Sequence, residues 1–321
     1  MDHQGWYDLK QKEKPFMKIE DIIFVCAMGP PGGGRSALTK RLERHFNIIT
    51  YTNLDRISIA NIFETILKSF VGPFSQEIMS AVPKIVESTQ KVYNFIATTL
   101  KPTPNKSHYT FNLRDMSKIF QGVCSADRKN TSEVVDIVRL WIHENKRVFG
   151  DRMVSTDDKE TLDNYLNEEA LKVYNLEKEQ IYEAERIIFG DYMFGIDMEG
   201  RPYNLIKDLK QMQKKMEEYL DDYNAGSKHP MRLVMFLDAC DHVNRICRVL
   251  RQPQGNALLL GVGGSGRQSL ARLGAYISNQ KTYQIEVVKG YSMTMWRDNL
   301  KSCLIVAGCE SKPTMFLFCD T

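Results

Sequence analysis

Apolar residues recur every three or four positions between about residues 53 and 230, which is the spacing of amphipathic helices. Ser58 is a candidate N-cap for the first of these helices, and Gly72 with Pro73 would end it. Pro83 suits the first turn of the next helix. The middle of the chain is therefore predicted to be all-α, with further helices at 114–121, 132–149, 158–188 and 204–222.

Strand-like and helix-like segments alternate on either side of this helical part. Near the N-terminus, a predicted strand at 22–26 precedes a basic helix predicted from Ala37 to Phe46. The turn between them contains Pro30 and Pro31, which lack N–H donors, so it is predicted to be rigid rather than phosphate-binding. After a boundary near 224–226, the predicted elements are helix 231–249, strand 257–260, helix 268–279, strand 283–288, helix 292–308 and strand 314–319. This order indicates parallel βαβ units, and the predicted fold class is α/β with a large all-α portion.

A glycine-rich turn joins the predicted strand 257–260 to the helix after it. Glycine adopts positive φ without a steric clash, so successive N–H groups can point inward and bind phosphate oxygens at a helix N-terminus. Gly261 and Gly266 have the separation found in a Walker A loop, but Arg267 and Gln268 replace its lysine and hydroxyl residues. The alternative is a tight turn without a ligand. The candidate nucleotide-binding residues here are Gly261, Val262, Gly263, Gly264, Ser265, Gly266, Arg267, Gln268 and Ser269.

The last apolar segment of the chain ends in Asp320, as expected for a Walker B strand that places an acid beside a metal ion. A buried strand that ends at a surface acid for other reasons is the alternative. Thr321 follows, where a catalytic ATPase usually carries the glutamate that activates water. No catalytic residue is therefore predicted, and the site is expected to bind nucleotide better than it cleaves it.

Composition narrows the class of protein. A chain of 321 residues exceeds a typical single domain, and its net charge of +3 gives no electrostatic argument for nucleic acid. No apolar run approaches the ~20 residues that span a bilayer, and the polar N-terminus lacks the pattern of a signal peptide. Seven scattered cysteines without a C-x-x-C pair fit reduced thiols. An intracellular protein without a membrane or nucleic-acid partner is expected.

Several motifs together resemble axonemal dynein heavy chains, and the resemblance covers nearly the whole chain. The motifs are Gly5-Trp-Tyr-Asp8, Ala27-Met-Gly-Pro-Pro-Gly-Gly-Gly-Arg35, Arg41-Leu-Glu-Arg-His-Phe46, Pro102-Thr-Pro104, His108-Tyr-Thr-Phe-Asn-Leu-Arg-Asp115, Ile188-Phe-Gly-Asp191, the glycine loop and Phe316-Leu-Phe-Cys-Asp-Thr321. In that family the motor is a ring of AAA+ modules of P-loop type. The resemblance implies a fragment of this ring, in which a helical lid is followed by the first parallel βαβ units of the next module. The implied domains are the end of the third module's large subdomain at 1–52, its helical lid at 53–155, a helical connection at 156–230 and the start of the fourth module at 231–321.

The same resemblance implies roles for individual residues. Asp320 would contribute to the fourth module's site for ATP or ADP, with Mg²⁺ as its metal. Arg114 is similar to a sensor-2 arginine of the third module, and Arg41 or Arg44 could be an arginine finger that reaches a neighbouring site. For each arginine, an ordinary ion pair is the alternative. Gly29 departs from relatives that have a polar sensor-1 side chain, which puts control of hydrolysis in the third module in doubt.

The implied function is that of an ATP-driven, minus-end-directed microtubule motor in the axoneme of a cilium or flagellum. Its implied partners are the other AAA+ modules of the heavy chain, intermediate and light chains, and microtubules. A non-catalytic helical scaffold with a vestigial P-loop is the alternative. A small independent P-loop kinase or GTPase is a third possibility, but it would need the missing lysine and further strands after Asp320.

Overall fold

The computed structural model describes residues 2–29, 38–52, 54–196, 200–227 and 230–319. The predicted turn around Pro30 and Pro31 lies outside the described residues, as do Asp320 and Thr321. The chain forms two compact units, Met1–Leu54 and Asp55–Thr321.

The first unit contains little regular structure. Strands β1 (Gly5–Tyr7) and β2 (Phe16–Lys18) form an antiparallel hairpin, and the described part of the predicted basic helix is limited to α1 (Lys40–Glu43). The prediction of a strand at 22–26 is wrong, because these residues are irregular and Val25 is 93% exposed. An apolar strand is stable only where neighbours satisfy its backbone groups, and the described residues of this unit place no strand beside it.

The first part of the second unit is all-α, as predicted. Its helices are α2 (Arg56–Val71), α3 (Gln76–Thr99), α4 (Leu113–Val123), α5 (Val134–Val148), α6 (Thr156–Tyr174) and α7 (Lys178–Ile181). Their apolar faces form one hydrophobic cluster around the fully buried side chains of Phe120, Trp141 and Phe149. A short antiparallel pair follows, β3 (Phe189–Gly190) with β4 (Asn204–Leu205).

Three of these helices begin or end away from their predicted boundaries. Asp55, not Ser58, is the N-cap of α2, and its carboxylate accepts a hydrogen bond from the Ser58 N–H at 2.9 Å. Pro83 lies inside α3 rather than in its first turn, because α3 buries an apolar face on both sides of the proline. The helix predicted over 158–188 is interrupted at Asn175, which adopts a left-handed conformation with φ of 55°.

The second part of this unit alternates helices with a small parallel sheet. The elements are α8 (Leu209–Gly226), α9 (Leu237–Arg251), α10 (Arg267–Ile277), β5 (Lys281–Gln284), α11 (Met293–Leu304) with a π-helical turn at Ile305–Cys309, and β6 (Thr314–Leu317). Helices α8, α9 and α10 share a second hydrophobic cluster that includes Met216, Val243 and Leu273. Strands β5 and β6 pair in parallel, with Tyr283 opposite Phe316, which confirms the predicted βαβ unit. None of the described helices has the length and apolar character needed to cross a bilayer.

Two predictions in this part are wrong. The helix predicted from residue 231 begins at Leu237, because the Asn224 side chain exchanges two hydrogen bonds with the Met231 backbone and holds it outside the helix. The strand predicted at 257–260 is irregular, and Leu258 and Leu260 are 83% and 81% exposed. The described residues place no strand beside this segment, so its backbone N–H and C=O groups have no neighbouring strand with which to form hydrogen bonds.

Candidate nucleotide-binding site

The loop from Gly261 to Gly266 leads directly into α10, with Gly266 as the N-cap. Gly264 and Gly266 have φ values of +77° and +75°, a left-handed conformation that favours glycine. Only one backbone hydrogen bond ties the loop to itself, from the Ser265 N–H to the Val262 carbonyl at 3.4 Å. The N–H groups of residues 261–264 and 266 donate to no described residue. The loop therefore presents free backbone donors at a helix N-terminus, which is the arrangement that binds anions.

Arg267 is the first residue of α10 and lies half-buried against the start of the loop. Its Cδ is 3.5 Å from the point where a Cβ would stand on Gly261, so the arginine side chain lies within van der Waals distance of the start of the loop. Its guanidinium makes no hydrogen bond or ion pair with any part of the chain that the structure describes. Gln268 and Ser269 are half-buried in the same first turn. The N–H donors of the Arg267 guanidinium are thus available to an anion that binds at the loop.

Close packing on α9 positions α10. A Cβ on Gly274 would approach Ile246 on α9 to 2.7 Å, so only glycine permits this helix separation. The thiol of Cys247 donates to the Gly274 carbonyl at 3.7 Å, and burial raises the pKa of Cys247 to about 12. Cys247 is consequently a packed, protonated thiol.

Side-chain contacts also connect α10 to the strands. Arg272 donates to the Gln284 side chain at the end of β5, with 2.6 Å between Nη2 and Oε1. The amide of Gln284 lies 3.7 Å from the sulfur of Cys319, which immediately precedes Asp320. The structure therefore connects the loop helix to the segment that leads to Asp320, although Asp320 itself is outside the described residues.

Arg114 lies at the exposed N-terminal end of α4. Its neighbour Asp115 is buried and accepts from Arg152, with 2.7 Å between Oδ1 and Nη2. The Arg114 guanidinium has no hydrogen-bonding or ionic partner within the described ranges. This arginine is free to contact a ligand or another protein surface, and its sensor role stays a prediction.

Arg41 and Arg44 face one carboxylate inside the first unit. Arg44 pairs with Asp2 at 2.7 Å, and Arg41 lies 3.8 Å from the same side chain. The hydrogen bond from Arg44 lowers the pKa of Asp2 below its usual value, with the nearby charges of Arg44, His45 and Arg41 acting in the same direction. Both arginines thus occupy the ion-pair arrangement that is the alternative to a ligand contact, and an arginine-finger role stays a prediction.

Comparison of the amino-acid sequence with known proteins identifies the family. Three family models match: a P-loop containing dynein motor region over residues 1–54, an AAA+ lid domain over 84–191, and a P-loop containing dynein motor region D4 over 231–321. The whole chain aligns at 44% identity with dynein axonemal heavy chain 1 of Homo sapiens and at 43% with that of Mus musculus. The chain belongs to the axonemal dynein heavy chains. It also aligns over its whole length at 41% identity with dynein axonemal heavy chain 6 of Homo sapiens, and it spans about 8% of the length of each of these relatives.

The AAA+ α/β fold of this axonemal dynein chain agrees with the fold class predicted from its sequence. The P-loop descriptions imply nucleotide binding, and the glycine loop lies inside the region matched by the D4 model. The loop is thus the nucleotide-site candidate that the described geometry and the family both favour.

Sequence reasoning missed a buried charge cluster in this dynein chain. Glu144 on α5 is fully buried and accepts hydrogen bonds from Arg147, from Arg248 on α9 and from the hydroxyl of Tyr203, at 2.8, 3.2 and 3.2 Å. Burial disfavours its charge, but the two guanidinium groups outweigh that effect and lower the pKa of Glu144 to about 2. Because Glu144 lies in the lid match and Arg248 in the D4 match, this cluster joins the two regions.

Beside Glu144, the imidazole of His143 is fully buried. Its Nδ1 lies 3.0 Å from the Ile187 carbonyl, so it donates a proton there, and its Nε2 lies 3.0 Å from the Tyr203 hydroxyl. Burial, assisted by the nearby charge of Arg245, lowers the pKa of His143 to about 3. A sequence signal for this cluster existed, because the five consecutive polar residues 143–147 follow a mostly apolar first part of the same helix.

Proposed function

We propose that the loop from Gly261 to Gly266, with Arg267, binds ATP or ADP through its phosphates and serves a regulatory or structural role. The supporting observation is the set of unpaired loop N–H groups beside the unpaired Arg267 guanidinium at the start of α10, within the part of the chain that the structure describes. Both kinds of donor suit phosphate oxygens, and the partial positive charge of the helix N-terminus adds to them. Arg267 lies against the start of the loop at Gly261, so the charged side chain and the loop N–H groups are close together, which suits an anionic ligand.

The same site is proposed to hydrolyse nucleotide slowly. Thr321 stands where a catalytic ATPase has its general base, and Arg267 stands in place of the P-loop lysine. Mg²⁺ would be held by Asp320, with Ser269 as the first hydroxyl residue after the loop, and it would neutralise phosphate charge. The residues of this chain would then bind and orient the nucleotide without activating water.

We extend the proposal to the protein that this family implies: an ATP-driven, minus-end-directed microtubule motor of the axoneme in a cilium or flagellum. Its partners would be the other AAA+ modules of the heavy chain, intermediate and light chains, and microtubules. In that setting Arg114 is proposed as the sensor-2 arginine of the third module. Arg41 would be the better placed arginine finger, because Arg44 makes the shorter ion pair with Asp2.

The proposed domains follow the same order: 1–52 and 231–321 in successive AAA+ large subdomains, 53–155 as the lid, and 156–230 as a connection. The boundary between compact units after Leu54 supports the first division. The D4 match that begins at residue 231 supports the last one. The lid match extends to residue 191, so part of the proposed connection resembles lid sequence.

Titration of the 321-residue chain with fluorescently labelled ADP and ATP tests the nucleotide proposal. Arg267→Ala is expected to weaken binding by roughly 1.5–3 kcal/mol, the scale of a hydrogen bond to a charged group. Arg297→Ala, which removes an exposed arginine on α11, is the matched control and should leave affinity unchanged. ATP hydrolysis measured in the same samples should be slow.

Two outcomes would contradict the proposal. Absence of binding at physiological nucleotide concentration would favour the helical scaffold with a vestigial loop. Equal affinities for the parent chain and for Arg267→Ala would remove Arg267 from the site.

A further inference from the structure

The C-terminal end of α10 is held by an arginine from outside the helix. Arg201 donates from Nη1 to the carbonyl of Ile277, the last residue of α10, at 2.8 Å. The last carbonyls of a helix lack partners within the helix, and a positive charge there interacts favourably with the helix dipole. Arg201 thus acts as a side-chain cap for the helix whose other end is the glycine loop.

Asp191 holds that arginine in place. Its carboxylate Oδ1 lies 3.1 Å from Arg201 Nη2, and its backbone carbonyl accepts from Arg201 Nε at 3.3 Å. The second carboxylate oxygen, Oδ2, lies 2.7 Å from Nη1 of Arg251, the last residue of α9. Arg251 also donates to the Arg201 carbonyl at 2.7 Å. One carboxylate therefore connects the ends of α9 and α10.

The Asp191–Arg201 pair is sheltered from water, whereas the Arg251 side chain is more exposed. The Asp191 side chain is 11% exposed and that of Arg201 is 16% exposed, so their attraction is screened less than that of a surface pair. A carboxylate that pairs with two arginines is also fixed in orientation, because each oxygen has its own partner.

We propose that Asp191 is a positioning residue for the glycine loop. Through Arg201 and Arg251, it fixes the end of α10 against the end of α9 and so determines where the N-terminus of α10 presents the loop. The loop has a single internal backbone hydrogen bond and exposed residues, so its position depends on the helix that follows it. This inference rests on the proposed nucleotide-binding function of the loop.

The test replaces Asp191 by Asn in the 321-residue chain, which removes the charge and keeps the shape. Labelled ADP is expected to bind about 2- to 30-fold more weakly, the range for side chains that act on a site without touching it. Hydrogen exchange of residues 261–277 should become faster. Asp163→Asn, which breaks an ion pair between α6 and Lys146 on α5, is the matched control and should change neither quantity.

A double-mutant cycle separates positioning from a general loss of stability. Because Asp191 and Arg201 share one contact, the double variant of Asp191→Asn and Arg201→Ala should weaken binding by less than the sum of the two single variants. Asp191→Glu, which keeps the carboxylate, should recover part of the affinity. If Asp191→Asn does not fold, Arg201→Lys tests the same contact, since lysine keeps the charge and loses the fork.

The outcomes separate this inference from the proposed function. If the parent chain binds ADP and Asp191→Asn binds it equally well, with unchanged exchange at residues 261–277, the positioning role is overturned. If the parent chain binds no nucleotide, the proposed function fails. Faster exchange confined to residues 261–277 in Asp191→Asn would then still support the positioning role, and unchanged exchange would overturn it.

Discussion

At the scale of single residues, the glycines of this chain have two different physical roles. Gly264 and Gly266 have positive φ and open space around them, so backbone conformation selects glycine there. Gly122 and Gly274 lie inside helices and have no room for a Cβ, so packing selects glycine. Only the first role was visible in the sequence, because a glycine cluster before a helix is a local pattern.

Gly122 provides a test of the packing role. A Cβ at this position on α4 would overlap the carboxylate of Glu144, which Arg147 and Arg248 hold in place. Gly122→Ala is therefore expected to lower the free energy of unfolding by ~1–3 kcal/mol, the usual cost of overpacking, as measured by urea denaturation.

Gly226→Ala is the control for Gly122→Ala. Gly226 ends α8, and no atom lies within 4 Å of the point where a Cβ would stand, so the added methyl group should be tolerated. Equal unfolding free energies for the two variants would show that Glu144 can move away at little cost.

At the scale of elements, helices with a strong apolar period were predicted well, and their ends were predicted poorly. The predicted helix 132–149 corresponds to Val134–Val148, because its apolar face is continuous. The start of α2 depends on the Asp55 side chain, and the start of α9 depends on the Asn224 side chain. Other polar side chains near each of these positions could have formed similar hydrogen bonds. The spacing of apolar residues does not show which polar side chain forms these hydrogen bonds.

Pro83 in α3 gives a prediction at this scale. A proline inside a helix costs ~3 kcal/mol or more, while its restriction of the unfolded chain returns ~0.4–1 kcal/mol. Pro83 is exposed and α3 continues through it, so we expect the helix to have adjusted to the proline and to bear only part of this cost. Pro83→Ala is therefore expected to raise the free energy of unfolding by about 1–2 kcal/mol. Lys84→Ala, at the exposed neighbouring position, should stay within about 0.5 kcal/mol of the parent chain. A destabilised Pro83→Ala would mean that the proline is required for the packing of α3.

At the scale of the whole molecule, two hydrophobic clusters in the second unit are joined through the buried charges around Glu144. Removing one partner of such a cluster leaves an uncompensated buried charge, which is strongly destabilising. The cluster also makes the stability of the chain depend on pH, because the buried ring of His143 resists protonation.

The sign of this dependence follows from the lowered pKa of His143. The folded state holds the ring neutral down to about pH 3, while the unfolded chain takes up a proton below about pH 6.5. The stabilisation is therefore complete above the unfolded pKa and is lost as the pH falls towards the folded pKa. In the parent chain the free energy of unfolding should decrease as the pH falls from about 6.5 to about 5, and one such group contributes up to ~1.4 kcal/mol per pH unit to this decrease. His143→Gln is expected to make the decrease smaller.

Urea denaturation at several pH values measures this slope. His242→Gln is the matched control, since His242 is exposed on α9 and should leave the slope unchanged. A decline of equal steepness in His143→Gln and in the parent chain would assign the pH dependence to other groups.

The sequence by itself determined the helical middle of the chain, the parallel βαβ unit, the position of the glycine loop and the resemblance to axonemal dynein heavy chains. These features depend on local spacing, on backbone chemistry and on motifs, all of which are contiguous in the chain. The tertiary structure alone decided that segments 22–26 and 257–260 stay outside a sheet, that Glu144 meets Arg248, and that Asp191 joins the ends of α9 and α10. The physical reason is that a strand and a buried charge both require partners, and those partners lie far away in the sequence.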